Sequence, residues 1–294
     1  MLLVKRILTI LIALSLLIGL GVVAALLLVH ILPATRLQQL ILAVSAVVFS
    51  LALIIAAFNF YVNHGFANQS DIIRRVRTSE KLVSFTFDDG PSPEYTPAIL
   101  DVLRTYDVQA SFFVVGKYVR RYPNIVKRMY SEGHDVGNHT FDHVNAPTTP
   151  AASLSSQILS TNIEIMKIIG EHPQYVRPPR GMYDARFRRL AELMGMNLVL
   201  WSISSQDWRG STTPEKMKTR IVNRVRPGDI LLFHDGGNLI GSEGASRQRT
   251  VDALPEIIEE LHSMGYRIVP LSRLLRYPAS SNGTEENGED SLDR

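Results

Sequence analysis

Two adjacent carboxylates, Asp88 and Asp89, stand where the apolar run Leu82-Val83-Ser84-Phe85-Thr86-Phe87 meets the turn residues Gly90-Pro91. The β-branched and aromatic bias of the run is that of a buried strand. Both charges therefore fall at a strand's carboxyl end, where parallel α/β sheets gather their active sites. Two uses account for them: an Asx-turn capping the next helix, or chemistry on a metal ion or a proton. Partners for the second use are present in Gly137-Asn138-His139-Thr140-Phe141-Asp142-His143. On a helical turn, the spacing of His139 and His143 lays both rings on one face, close enough to bind one ion. With Asp89 as third ligand the set is two imidazoles and one carboxylate, leaving coordination positions open for water and substrate. Zinc suits these mixed nitrogen and oxygen donors, and cobalt, nickel or another divalent ion fits them as well.

Three later segments carry further candidates. Arg177-Pro178-Pro179-Arg180-Gly181 is stiffened by its prolines, and its glycine permits close approach to a ligand. Trp201-Ser202-Ile203-Ser204-Ser205-Gln206-Asp207-Trp208 reads as a strand ending in an aspartate and a bulky aromatic. Gly228-Asp229-Ile230-Leu231-Leu232-Phe233-His234-Asp235-Gly236 is another buried strand, with His234 at its carboxyl end. Each segment alone is as readily structural as catalytic. In order and spacing, however, the segments from Thr86 to His234 resemble the motifs of the polysaccharide deacetylases with a NodB-homology domain, carbohydrate esterase family 4. The resemblance covers about residues 80–275.

That resemblance implies a role for each position. Asp89, His139 and His143 would be metal ligands. Asp88 would be the general base for the attacking water, oriented by Arg177, and His234 the general acid, held in its protonation state by Asp207. Pro179, Arg180 and Gly181 would contact substrate, and Trp208 and Leu232 would line the pocket for the acyl methyl. The family usually has tyrosine where Arg180 stands, and many members have another aspartate where Ser204 stands, so subsite shape and charge differ here. The roles agree with the needs of amide hydrolysis: an activated water, stabilisation of the oxyanion and a proton for a poor leaving amine. An arginine beside Asp88 favours its basic form, while a carboxylate beside His234 favours the imidazolium. The implied activity is hydrolysis of the N-acetyl group of amino sugars in a peptidoglycan or chitin-like glycan. Rival readings are a deacylase of a lipid-linked or small N-acyl sugar, and an inactive carbohydrate-binding protein. The last is weakened because Asp88, Asp89, His139, His143, Arg177 and His234 are all present.

The elements that must position these residues alternate. Periodicity predicts strands over 83–87, 110–115, 135–138, 175–177, 198–203, 230–234 and 267–270. Helices are predicted over 93–106, 123–132, 150–169, 185–194, 214–225 and 251–264, with Thr149 as the N-cap of the third. Alternation of this kind predicts a parallel α/β sheet closed as a barrel, and the resemblance makes it a distorted, incomplete (β/α) barrel of about seven strands. The deacetylase domain would span 80–277, after a linker at 59–79 and before a disordered acidic tail at 278–294. His134 reads as a packing residue rather than a fourth ligand.

Residues 7–29 and 40–58 are uncharged and apolar, each near the roughly twenty residues a bilayer core requires, so residues 1–58 read as a membrane anchor of two transmembrane helices. Lys5 and Arg6 before the pair, with Arg74, Arg75 and Arg77 after it, favour a cytoplasmic catalytic domain by the positive-inside rule. Most anchored members of the resembled family act on wall or matrix glycan outside the membrane. The expectation is a multi-pass protein of the cell membrane with an extracytoplasmic catalytic domain, and with an N-acetylated glycan and the lipid bilayer as partners. A net charge of +3 is too small to suggest nucleic-acid binding, and the absence of cysteine excludes disulfides.

Overall fold

The computed structural model describes residues 72–236 and 246–276, together with Thr35, Gln38 and residues 44–45 and 47–54. Contacts divide the chain into two compact units, Met1–Ala67 and Asn68–Arg294. In the first, residues 44–45 and 47–54 are helical, with Val48 and Phe49 exposed. Among the described residues no helix is long and apolar enough to cross a membrane. This overturns the expectation of a two-span membrane protein, with its extracytoplasmic domain and its bilayer partner. The described helical stretch is well short of a roughly twenty-residue span. The expected span at 7–29 and both ends of that at 40–58 lie outside the described residues, as does the tail at 278–294. Of the basic residues expected to flank the second span, Arg75 forms an ion pair within the second unit, its Nε donating to Asp229 Oδ1 at 2.5 Å.

The second unit is built on an open, curled parallel sheet, a distorted barrel that does not close. Among the described residues its strands are β1 (Ile72–Ile73), β2 (Leu82–Asp88), β3 (Ser111–Val114), β4 (Asp135–Asn138), β5 (Tyr175–Val176), β6 (Asn197–Val199), β7 (Ile203–Ser204), β8 (Ile230–His234) and β9 (Arg267–Ile268). They pair in the order β1-β6-β5-β4-β3-β2-β8-β7, with β9 against the start of β2. β2 lies at the centre and is buried along its whole length, as its near-continuous apolar sequence requires of a strand covered on both faces. Its side chains alternate. Val83, Phe85 and Phe87 pack into the largest apolar cluster with residues of the surrounding helices, while Thr86 and Asp88 take the opposite face.

The covering helices are α1 (Thr96–Thr105), α2 (Gly116–Arg121), α3 (Pro123–Ser131), α4 (Ala151–Ile169), α5 (Ala185–Leu193), α6 (Pro214–Val222), α7 (Gln248–Ser263) and the short α8 (Leu271–Leu274). Local chemistry sets several starts. Asp184 caps α5 by accepting from the backbone N–H of Arg186 and Phe187, and Thr213 caps α6 with Pro214 at its first position. The expected cap of α4 differs: Pro150 is the N-cap, and the Thr149 hydroxyl instead donates to Asn145 O at 2.8 Å. The strand expected over 198–203 is two strands: β6 lies between β1 and β5, and β7 ends the sheet at the far side, beside β8.

His134 is a core residue. Its Nδ1 accepts from the Ala110 N–H at 3.0 Å and its ring meets Phe112 edge-on, and burial pushes its pKa down to about 4. A histidine depressed in the folded state contributes stability that is full above the unfolded value near 6.5 and is lost as pH falls toward 4. A shift of that size corresponds to about 3 kcal/mol. His134→Gln retains an acceptor and does not titrate. Between about pH 7 and pH 4 it is expected to lose about 3 kcal/mol less stability than the wild type in urea unfolding, and an equal acid loss would remove His134 from the account.

Candidate active site

Asp88 is the last residue of β2 and lies on the same face as Thr86, two positions earlier. Both accept from Arg177 Nη1, at 2.6 Å for Asp88 Oδ1 and 2.9 Å for Thr86 Oγ1. Arg177 itself is fully buried. Its Nε and Nη2 donate to the carbonyls of Val199 and Leu200, and its guanidinium lies 3.9 Å from the centre of the Phe113 ring. Every branch of the fork is occupied, so Asp88 is held in one orientation by a charge-assisted bond.

The next residue turns away. Asp89 has φ 78°, and its carboxylate Oδ1 faces His143 Nε2 at 3.1 Å and His139 Nε2 at 3.4 Å. Gly90 follows where no side chain fits, since a Cβ there would lie 2.0 Å from Asp235 Oδ2. The two histidines do not share a helical turn, as their spacing predicted. His139 follows β4 directly, and a loop with positive φ at Thr140 (65°) and His143 (59°) brings the rings to 5.1 Å between centroids. Asn138 braces this loop, accepting from Thr140 N–H at 2.7 Å and donating to Ile158 O and Asn162 Oδ1. Left-handed conformations cost non-glycine residues of order 1–3 kcal/mol each. Asp89, Thr140, His143, Arg180 and Gln206 all adopt them beside motif residues.

One ligand atom from each of Asp89, His139 and His143 falls within 4.8 Å of the others, so this group could hold a metal ion. The donor set fits one. His139 Nδ1 lies 2.9 Å from Arg177 O, a bond that makes Nδ1 the donor and leaves the Nε2 lone pair facing Asp89. For His143, burial outweighs the Asp89 carboxylate and lowers the pKa, favouring a neutral ring. Burial pushes Asp89 up, but the two imidazoles and His234 outweigh it and hold the carboxyl well below its usual range. Two imidazole lone pairs converging on an anionic oxygen are what a divalent cation satisfies.

His234 ends β8 in register with Asp88, so the candidate acid and base stand on neighbouring strands. Asp207 grips it twice: Oδ1 accepts from Nδ1 and Oδ2 from the backbone N–H, both at 2.7 Å. Burial pulls the imidazole down, yet Asp207, with help from Asp89, raises it to about 9. Burial raises the Asp207 carboxyl, but His234 and Arg247 outweigh that and hold it below its usual range. Leu232, two residues before His234, shares its face and is buried.

The remaining expected substrate residues are spread more widely. Pro179 is buried, while Arg180 is exposed with φ 59°. Gly181 has φ 67°, and its missing Cβ would lie 2.7 Å from the Trp201 ring. Trp208 is 44 % exposed and stacks against the Arg209 guanidinium.

Thr86 and Asp235, beside the two motif carboxylates, were given no role by the sequence reading. Thr86 shares Arg177 with Asp88, which strand alternation alone could have signalled. Asp235, buried behind Asp89, accepts from Gly90 N–H at 3.1 Å and from Thr96 Oγ1 at 2.6 Å, and burial raises its pKa to about 7.

Comparison with known proteins agrees with this geometry. A family model described as polysaccharide deacetylase matches residues 75–199. A peptidoglycan-N-acetylglucosamine deacetylase of Bacillus cereus is 41% identical over 204 residues, covering 69% of this chain and 92% of the relative. A chitooligosaccharide deacetylase of Sinorhizobium fredii is 34% identical over 207 residues, covering 68% and 96%. Among solved structures, a peptidoglycan N-acetylglucosamine deacetylase in complex with an N-oxidanyl-benzamide superposes with a TM-score of 0.67 at 31% identity, covering 72% of this chain and 96% of that one. The strand-end carboxylates, the paired histidines and these relatives agree: the chain belongs to the polysaccharide deacetylase family and is a hydrolase of carbon–nitrogen bonds other than peptide bonds.

Proposed function

We propose that this protein is a metal-dependent deacetylase that removes N-acetyl groups from amino sugars of a glycan, with residues 80–277 as its catalytic domain. The observation that carries the reading is the side-by-side placement of two oppositely paired groups, Asp88 held by Arg177 and His234 held by Asp207, next to the Asp89, His139 and His143 cluster. Bound by those three residues, a divalent ion, zinc by its fit to the donor set, would supply Lewis acidity toward the amide carbonyl and the attacking water. Asp88 accepts the proton of that water, and the Arg177 guanidinium keeps its carboxylate aimed. His234, protonated at neutral pH, delivers a proton to the leaving sugar amine. Leu232 borders the acyl methyl, with Trp208 at the surface end of the same loop as Asp207. Pro179, Arg180 and Gly181 contact the sugar. Names of relatives favour peptidoglycan or chitooligosaccharide as the glycan.

Incubation of purified protein with both glycans tests the reading: acetate and free amine should appear in equal amounts from at least one. A metal-loaded protein that binds glycan but releases no acetate would favour the inactive carbohydrate-binding reading. A pseudoenzyme of the CE4 family from Bacillus anthracis, TM-score 0.63 at 26% identity, keeps that reading in view.

His234→Ala is expected to lower amide turnover by about two to four orders of magnitude. It should act far less on an activated acetate ester, whose leaving group needs no proton. Because His234 is raised to about 9, the acidic form persists through neutrality, and the wild-type amide rate should fall only as pH rises through about 9. Equal losses on ester and amide would assign His234 another task.

A further inference from the structure

Arg247, immediately before α7, is fully buried, and among the described residues one branch of its guanidinium has a partner. Its Nε donates to Gly236 O at 2.7 Å, whereas Nη1 and Nη2 make no hydrogen bond among the described residues. A buried cation left with two empty donors is costly to the fold, so its retention calls for a use of the charge or of the single bond. Its neighbours supply one. Gly236 lies two residues after His234, and the backbone between them is tied to the base strand, with Asp235 N–H donating to Asp88 O at 3.0 Å. One turn into α7, the Thr250 hydroxyl donates to Asp207 Oδ2 at 3.0 Å, the same oxygen that accepts from the His234 N–H. The first turn of α7 therefore touches both sides of the acid: the segment that follows His234 and the carboxylate that holds its ring.

We propose that Arg247, together with Thr250, is a positioning device for the His234 acid, fixing the Gly236 segment and holding Asp207 in its two-oxygen grip on His234. The proposal rests on the reading of His234 as the general acid. Beside this geometry, the Asp207 carboxylate raises the His234 imidazole and the Arg247 charge opposes it. It also favours ionised Asp207. Arg247 thus lets Asp207 orient the ring without making it too weak an acid to protonate a leaving amine. Neither Arg247 nor Thr250 touches substrate in this account; both act through Asp207 and His234.

The test compares Arg247→Met, Arg247→Lys, Thr250→Val and His234→Ala in the full-length protein, measured on an N-acetylglucosamine oligomer and on an activated acetate ester, with metal content determined for each. Arg247→Met should lower kcat on the amide by about tenfold to a hundredfold. KM and metal content should hold, and the ester rate should change little. Lysine, which keeps the charge, should restore most of the loss. The double variant Arg247→Met with His234→Ala should be no slower than His234→Ala alone, because both act on one proton transfer. Equal losses on amide and ester, or additive losses in the double variant, would overturn the proposal. Should Arg247→Met not fold, Thr250→Val carries the test: a wild-type amide rate, or a loss shared by the ester, overturns it. If His234→Ala itself shows no preference for the amide, the acid reading fails and the clamp falls with it. If His234→Ala is amide-selective and the Arg247 and Thr250 variants are not, the clamp alone fails.

Discussion

Replacing His139 and His143 together by alanine is expected to leave the protein without its divalent ion and without measurable deacetylation, while the fold persists. Two of three donors vanish, and the remaining Asp89 carboxylate is a single oxygen ligand on a strand end, too little to hold a transition metal at micromolar concentration. The sheet does not depend on these rings: His139 follows β4, and its backbone N–H bond to Val114 O at 3.0 Å survives the substitution. Elemental analysis beside circular dichroism reads both halves of the expectation. Full metal occupancy in the double variant would show that the ion sits elsewhere.

The second large effect separates two neighbouring carboxylates. Asp88→Asn should keep the ion and lose about two to four orders of magnitude in turnover, because the amide cannot accept a proton from water. Arg177 would still find an oxygen at the position where it now meets Asp88 Oδ1 at 2.6 Å, so orientation is largely kept. Asp89→Asn should instead weaken metal binding, since it removes the anion on which both imidazoles converge, and activity should return in part at high metal concentration. Equal metal loss in the two variants would contradict the division of labour. The contrast is informative because the residues are adjacent in sequence and both are buried. Asp88 ends the strand facing Arg177, while Asp89, with φ 78°, faces the histidines.

Much of this site was legible in the sequence because parallel strands buried on both faces must be apolar, so charged residues at their carboxyl ends stand out. Asp88, Asp89 and His234 are all of that kind. The pairing of His139 with His143 was legible as a spacing, but not the backbone that realises it. The Asn138 side chain makes an Asx turn with Thr140 N–H, but it is anchored on Ile158 O and Asn162 Oδ1, and the His139 ring is oriented by Arg177 O, all partners remote in sequence. The division of 198–203 into β6 and β7 was hidden because a continuous apolar run does not reveal where a strand changes neighbours. Apolar length misled at the amino terminus, where hydropathy suggested two spans and the described residues contain no helix able to cross a membrane. Asp235 and Arg247 were invisible for a different reason. Their partners, Gly90, Thr96 and Gly236, stand 145, 139 and 11 positions away in the sequence, and no periodic pattern connects them.

The account stands or falls on one assay: acetate released from an N-acetylated glycan by the purified protein as isolated, after chelation, and after zinc is restored. It predicts acetate and free amine in equal amounts before chelation, loss of both when the ion is stripped, and recovery on addition of zinc that the His139→Ala, His143→Ala variant does not show. Undiminished acetate release from metal-free protein, or none from protein carrying a full complement of metal, would contradict it.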